Sequence, residues 1–195
     1  MPRLDDAALD LLFRNARSHN AWLDKPVSAA QLHELYELMK LGPTSSNGSP
    51  ARLVFVNSAA AKARLVPLMA PGNQAKVQAA PVSVLIAYDK RFHERLPQLF
   101  PHNPGAAAPF AANPALAEAT AFRNSSLQGA YLILAARALG LDCGPMSGFD
   151  AAGVNREFFG GEVVVNFICC LGYGDAAGLF ARHPRLDFDT ACQLL

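Results

Sequence analysis

The chain predicts an α+β layer fold, and three observations carry that reading. Two apolar runs, residues 82–88 and 163–173, are short and end at turn residues, as buried strands do. Helical patterns outnumber strand patterns. No internal repeat or low-complexity linker divides the 195 residues, so they read as one domain, 1–195, large enough for a real core.

Residues 5–17 predict a first helix with Leu9, Leu12 and Phe13 on one stripe. Ser28-Ala29-Ala30-Gln31 has the form of a capping box. The helix it opens carries Leu32, Leu35, Tyr36 and Met39 at i, i+3, i+4 and i+7. Gly42-Pro43 ends that helix, and residues 52–57 predict a strand. Residues 59–79 are Ala-rich and helical, interrupted at Pro71-Gly72. Pro81 leads into the strand 82–88. Five prolines (Pro97, Pro101, Pro104, Pro109 and Pro114) predict a mobile loop or lid over 97–114. The longest helical pattern, 117–139, stops at Gly140. A short helix over 150–159 precedes the central strand, 163–173, and the tail from Gly174 ends in a short element.

Hydrophobic residues make up 51% of the chain and charged residues 17%. Large apolar patches are rare on soluble monomers, so self-association is expected. A net charge of +1 gives no basic footprint for nucleic acid. No apolar run has the length of a membrane span. The start, Met1-Pro2-Arg3-Leu4-Asp5-Asp6, is polar and acidic where a signal peptide is basic and then apolar, so a cytoplasmic location is expected. Cys143, Cys169, Cys170 and Cys192 form no CxxC pair. They read as buried, inert thiols of a reducing compartment, with no metal site.

No hydrolytic triad, GxGxxG or GxxxxGK[ST] signature is present, and no paired carboxylates stand at a useful spacing. Polar clusters instead fall at element ends. The turn 42–50 offers hydroxyls, a carboxamide and backbone N–H groups without charge. Arg17, Ser18 and Asn20 follow the first helix; an Arg fork beside a hydroxyl suits a phosphate or a ring carbonyl, and equally a solvated helix terminus. Asn73 and Lys76 lie three apart on one helix face, as a pyrimidine grip or as exposed polar residues. Residues 144–150 form a Gly-bracketed turn that either admits a ligand or simply reverses the chain. Arg182, His183 and Arg185 reach a phosphate or only solvent.

Taken in order, these segments resemble the nitroreductase family of FMN-dependent oxidoreductases along nearly the whole chain. Arg17-Ser18-x-Asn20 is similar to the family's Arg-Ser-x-Arg/Lys. Pro43-Thr44-Ser45-Ser46-Asn47-x-Ser49-Pro50 resembles Pro-Ser-Ser-x-Asn-x-Gln-Pro. Asn73-x-x-Lys76 resembles an Asn-x-x-Lys flavin contact, and Pro145-Met146-Ser147-Gly148-Phe149-Asp150 resembles Pro-x-Glu-Gly-Phe-Asp. Leu171-Gly172-Tyr173-Gly174 with Arg182 and Arg185 is similar to the Leu-Gly-Tyr and basic phosphate segment. Asn20, Ser49 and Ser147 depart from the family's basic residue, Gln and Glu. Residues 17–27 and 42–52 resemble a narrower branch, the malonic semialdehyde reductases of pyrimidine (uracil) degradation.

The resemblance implies a central mixed or antiparallel sheet flanked by helices, in an intertwined homodimer with FMN at the subunit interface. It implies NADH or NADPH as co-substrate and ping-pong hydride transfer through flavin N5. Cofactor contacts are implied for Arg17, Ser18, Asn20, Pro43, Thr44, Ser45, Asn47, Ser49, Asn73, Lys76, Pro145, Met146, Ser147, Gly148, Arg182 and Arg185. Residues 43–50 then face the flavin held mainly by the other subunit. No side chain is implied as nucleophile or catalytic acid. Lys76, with Arg17, balances charge at the N1–C2 edge. The branch implies reduction of 3-oxopropanoate to 3-hydroxypropanoate, with Arg52 or Arg123 as the carboxylate partner and 97–114 covering the site. Two alternatives accompany it: a broad nitro or quinone reductase, and a non-enzymatic flavin-binding protein.

Overall fold

A computed structural model describes residues 2–195. Its centre is a four-stranded sheet of β1 (Ala51–Val56), β2 (Val82–Asp89), β3 (Asp142–Met146) and β4 (Val163–Gly172), in the order β1-β2-β4-β3. Every neighbouring pair is antiparallel, so the sheet is antiparallel and not mixed.

Both faces of the sheet are covered, which is why β2 reads as one apolar run without alternation. Val82, Val84, Ile86, Cys169 and Leu171 pack with Leu32, Leu35 and Met39 of α2 (Ala29–Met39) and with Leu132, Ala135 and Ala136 of α7 (Pro114–Ala138). Leu85, Ile168 and Cys170 face the other way. There they meet Leu65 of α3 (Ala59–Leu65), Val77 of α4 (Pro71–Ala79) and Val154 of α8 (Ala151–Phe158). Adjacent Cys169 and Cys170 are thus buried on opposite faces. The register shifts between Ile86 and Ala87, which pair with Phe167 and Val165. Asn166 is the extra residue of this bulge, and its carboxamide donates to the hydroxyls of Ser125 and Ser126 on α7 at 2.8 and 2.9 Å.

Local chemistry explains most boundaries. The Ser28–Gln31 capping box forms as read. Asn113 caps α7 with Pro114 at its first position, so this helix begins three residues before the predicted 117. Gly140, at φ 73°, follows its end.

Four expectations are corrected. The predicted helix 5–17 is α-helical only at α1 (Asp6–Leu9), continues as a π-turn over Asp10–Arg14, and buries none of its residues. Asp6 and Asp10 both pair with Arg14 and tighten it locally. The 97–114 segment is not an open loop. It holds α5 (Leu96–Leu99) and α6 (Ala108–Ala112), both with Pro near the start, and Phe110 packs against buried Phe92 at 5.0 Å between ring centroids. Residues 142–146 form an edge strand, which takes in the first three residues of the turn expected over 144–150. Cys192, in the stretch after α9 (Phe188–Ala191), is exposed, not buried. No helix among the described residues is long and apolar enough to cross a membrane.

One buried polar row on α7 fixes the start of β1. Asn124 accepts the Ser45 N–H at 2.8 Å and donates to the Thr120 carbonyl, and Gln128 accepts the Ala51 N–H at 2.9 Å. Asn124→Ala orphans the Ser45 N–H and is expected to lower unfolding free energy by about 1–3 kcal/mol in urea denaturation. A loss below about 0.5 kcal/mol contradicts this account of the anchor.

Candidate functional site

The stretch after the π-turn is pinned to β3. Ser18 bridges to Cys143, and the His19 N–H donates to the Cys143 carbonyl at 2.9 Å. It is also pinned to the segment after β4. Trp22 bridges to Gly174, and the Asp175 N–H donates to the Ala21 carbonyl at 3.0 Å. Arg17, Ser18 and Asn20 are thereby held beside the C-terminal tail. Together with Arg137, Phe180, Arg182, His183 and Arg185 they line a cavity of about 270 Å³.

Four arginines face one cavity, and their protein partners are backbone carbonyls. Arg17 donates to Phe180, and Arg182 donates to Arg14 and Ala16 at 2.7 and 3.0 Å. Arg137 donates to Leu12 at 2.9 Å, and Arg185 to His183 at 3.0 Å. Among the described residues none of the four forms an ion pair with a carboxylate. The Nε of Arg137 is buried without a partner. Charges of one sign around a cavity raise its potential and favour an anion. Planar guanidinium forks suit the oxygens of a phosphate. The donor set therefore fits a phosphate monoester. Arg137 escaped the sequence reading because a basic residue in the last turn of a helix is an ordinary match to the helix dipole.

A second group lies past the other end of β3. The Asn73 carboxamide and the Ala70 N–H both donate to the Gly148 carbonyl at 3.0 Å, and the Asp150 N–H donates to Leu68 at 2.7 Å. The turn with Ser147 and Gly148, which follows Pro145 and Met146 at the end of β3, is thus docked on the start of α4. Lys76 follows one turn along α4, half-buried, with no hydrogen bond or ion pair among the described residues. Its charge reaches the buried Cys170 thiol. Burial pushes that thiol up to about 11, and the Ser83 hydroxyl, Lys62 and Lys76 partly oppose the rise. Cys169 is also raised, first through its contact with Cys143 and then by burial. Both are protonated and unreactive near neutral pH.

The third group is elsewhere. Pro43, Thr44, Ser45, Asn47 and Ser49 precede β1, at the sheet edge opposite β3. Three interstrand spacings, about 14 Å, separate the edge strands. Within one chain this loop is not part of the arginine cavity. Its backbone is strained, with φ of 51°, 51° and 41° at Ser46, Asn47 and Ser49. Internal bonds hold it. The Ser49 N–H donates to the Thr44 hydroxyl at 3.1 Å, and the Asn47 carboxamide to the Leu99 carbonyl at 2.8 Å. Arg52 pairs with Asp89 at 2.7 Å and donates to the Ser49 carbonyl. Arg52 is therefore a loop clamp and not a free cation. Arg123, beside Asn124, has no ion pair or hydrogen bond among the described residues.

Comparison with known proteins agrees with this geometry. The nitroreductase family model matches residues 13–173. A Burkholderia lata protein named "Putative NADH dehydrogenase/NAD(P)H nitroreductase" is 62% identical over 195 residues, covering 100% of both chains. A Bacillus subtilis "putative nitroreductase" crystal structure superimposes with a TM-score of 0.87 at 22% identity, over 98% of this chain and 100% of that one. Another from Exiguobacterium sibiricum, in complex with FMN, gives 0.85 at 19% identity, over 100% of both. With the family model matching most of the chain and a relative 62% identical along its whole length, this chain belongs to the nitroreductase family.

Proposed function

We propose that this protein is an FMN-dependent NAD(P)H oxidoreductase that reduces 3-oxopropanoate to 3-hydroxypropanoate. The observation that carries the cofactor assignment is the cavity of four arginines without carboxylate partners, one with a buried, unpartnered Nε. Family membership and the name of the 62% identical relative support the oxidoreductase class. The branch resemblance of residues 17–27 and 42–52 supports the semialdehyde.

Arg17, Ser18, Arg137, Arg182 and Arg185 would hold the FMN phosphate, and Asn20 adds a neutral amide to that wall. Bound FMN supplies the hydride relay, accepting from NAD(P)H and delivering to the second substrate. The backbone of the 145–148 turn would meet the ring, with Asn73 fixing the turn. Lys76 would place a positive charge where the pyrimidine edge becomes electron-rich. No side chain of the site is asked to act as nucleophile.

The loop 43–49 would complete the site from a second copy of the chain, in a homodimer. Its distance from the cavity within one chain supports this. So do the large apolar side chains left exposed: Leu11, Phe13, Leu41, Phe122 and Leu127. An obligate interface buries a surface of this composition. Arg123, next to the loop anchor Asn124 and free of a protein partner, is the better placed of the two cations for the substrate carboxylate.

The purified protein is expected to carry a flavin spectrum that NADH or NADPH bleaches anaerobically and 3-oxopropanoate restores. Restoration by nitrofurans or quinones but not by 3-oxopropanoate would replace the semialdehyde with a broad nitro or quinone reduction. Failure to bleach would leave a flavin-binding protein without reductase activity.

Lys76→Ala is expected to slow flavin reduction in stopped flow about 100-fold, equivalent to about 3 kcal/mol, with little change in thermal stability. An unchanged rate removes Lys76 from the charge role. Arg137→Met keeps much of the apolar stem and is expected to raise the dissociation constant of FMN by about tenfold or more. Full flavin occupancy after dialysis would show that the cavity does not need this cation.

A further inference from the structure

His19 lies between two residues that line the arginine cavity, yet it is not part of that lining. It is buried, with 7% of its surface exposed. Its Nε2 lies 3.3 Å from one carboxylate oxygen of Asp142, and the other oxygen accepts the Gly174 N–H at 2.8 Å. Its own N–H is bonded to Cys143, and the Trp22 ring packs at 6.3 Å between centroids. Two glycines leave the slot it fills. A Cβ at Gly174 would fall 1.9 Å from His19 Nδ1, and one at Gly144 would fall 2.5 Å from the His19 carbonyl oxygen.

A residue present only for packing would not need polar atoms here. His19 Nδ1 is buried without a hydrogen-bond partner, a cost that an aliphatic side chain avoids. The imidazole is retained in a place where one nitrogen is unsatisfied and the other meets a carboxylate. That carboxylate grips the first residue of the tail that carries Phe180, Arg182 and Arg185.

We propose that His19 and Asp142 are positioning residues that form a clip for the phosphate subsite. The clip joins three segments: residues 17–20, the start of β3, and the tail from Gly174. Arg17 bonded to Phe180 also joins the first and third segments, and Arg182 bonded to Arg14 and Ala16 ties the tail to the residues just before the first. Clip and arginines together hold the stretch after the π-turn against the tail, so the spacing of the guanidinium groups is set before a ligand enters. Neither His19 nor Asp142 touches the ligand. The proposal rests on the reading of the cavity as the FMN phosphate site.

The test compares FMN with riboflavin, which lacks the phosphate, by fluorescence titration of the flavin-stripped protein. A residue that only supports the fold affects both ligands alike. In His19→Leu the dissociation constant of FMN is expected to rise about tenfold while that of riboflavin is unchanged, the size typical of lost outer-shell orientation. Asp142→Asn, nearly isosteric, is expected to do the same and serves if His19→Leu does not fold. His19→Gln places an amide N–H near the position of Nε2 and is expected to restore most of the preference for FMN. A wild-type preference that both His19→Leu and Asp142→Asn leave intact overturns the clip alone. A wild-type protein that binds FMN no more tightly than riboflavin overturns the phosphate reading, and the clip with it.

Discussion

Uncompensated positive charge in one cavity is the constraint around which this molecule is arranged. Arg17, Arg137, Arg182 and Arg185 come from the stretch after the first helical turn, the end of the long helix and the tail. Their donors bond to backbone carbonyls of the neighbouring segments. Those carbonyls fix the direction of each guanidinium but leave its charge unbalanced. A carboxylate in the wall would balance the charge and abolish the affinity. The fold keeps nearby acids occupied elsewhere: Asp6 and Asp10 with Arg14, Asp142 with His19 and Gly174. The result is a site whose electrostatic cost is relieved when an anion enters.

The sheet determines where such a site can form. Covered on both faces, it has central strands that are mostly apolar. Their few polar side chains are satisfied inside the fold, as Asn166 is by Ser125 and Ser126, so groups open to a ligand lie at strand ends and edges. β3 is short and lies at one edge, with the arginine cavity near its start and the docked turn of Ser147 and Gly148 past its end. β1 lies at the opposite edge and carries the Thr44–Ser49 loop. An antiparallel sheet of four strands keeps the two edges apart. The two edges therefore carry different groups, the charged cavity at one and the hydroxyl-rich loop at the other.

Much of this was legible in the sequence where a local signal agreed with the tertiary role. The Ser28–Gln31 box, the runs 82–88 and 163–173 and the stop at Gly140 carry their own chemistry, and each appears in the structure. Arg17, Ser18, Asn20, Arg182 and Arg185 also meet as their order implied, although no spacing rule brings residue 17 beside residue 185. The misses share a cause. β3 is written with Gly144 and Pro145, which read as a turn; an edge strand tolerates them because Pro needs no partner there and Gly144 admits the His19 carbonyl. The first helix shows an apolar stripe, but that stripe is only half-covered within its own chain, with Leu9 and Leu12 partly buried and Phe13 exposed. Arg137 and His19 have meaning only through neighbours distant in sequence, such as Leu12 and Arg182 for the one and Asp142 and Gly174 for the other.

The loop before β1 shows how stability is traded for a prepared surface. Three non-glycine residues with positive φ cost of order 1–3 kcal/mol each. A loop with glycine at these positions would avoid that strain but would lose more entropy on ordering. Here the strain is held by buried groups on α7, by the Thr44 hydroxyl and by the Arg52–Asp89 pair. All of these act from within the chain. The loop is consequently rigid before any partner arrives, and association need not order it. A ligand or partner that met this surface would find it already ordered and would lose less entropy on binding.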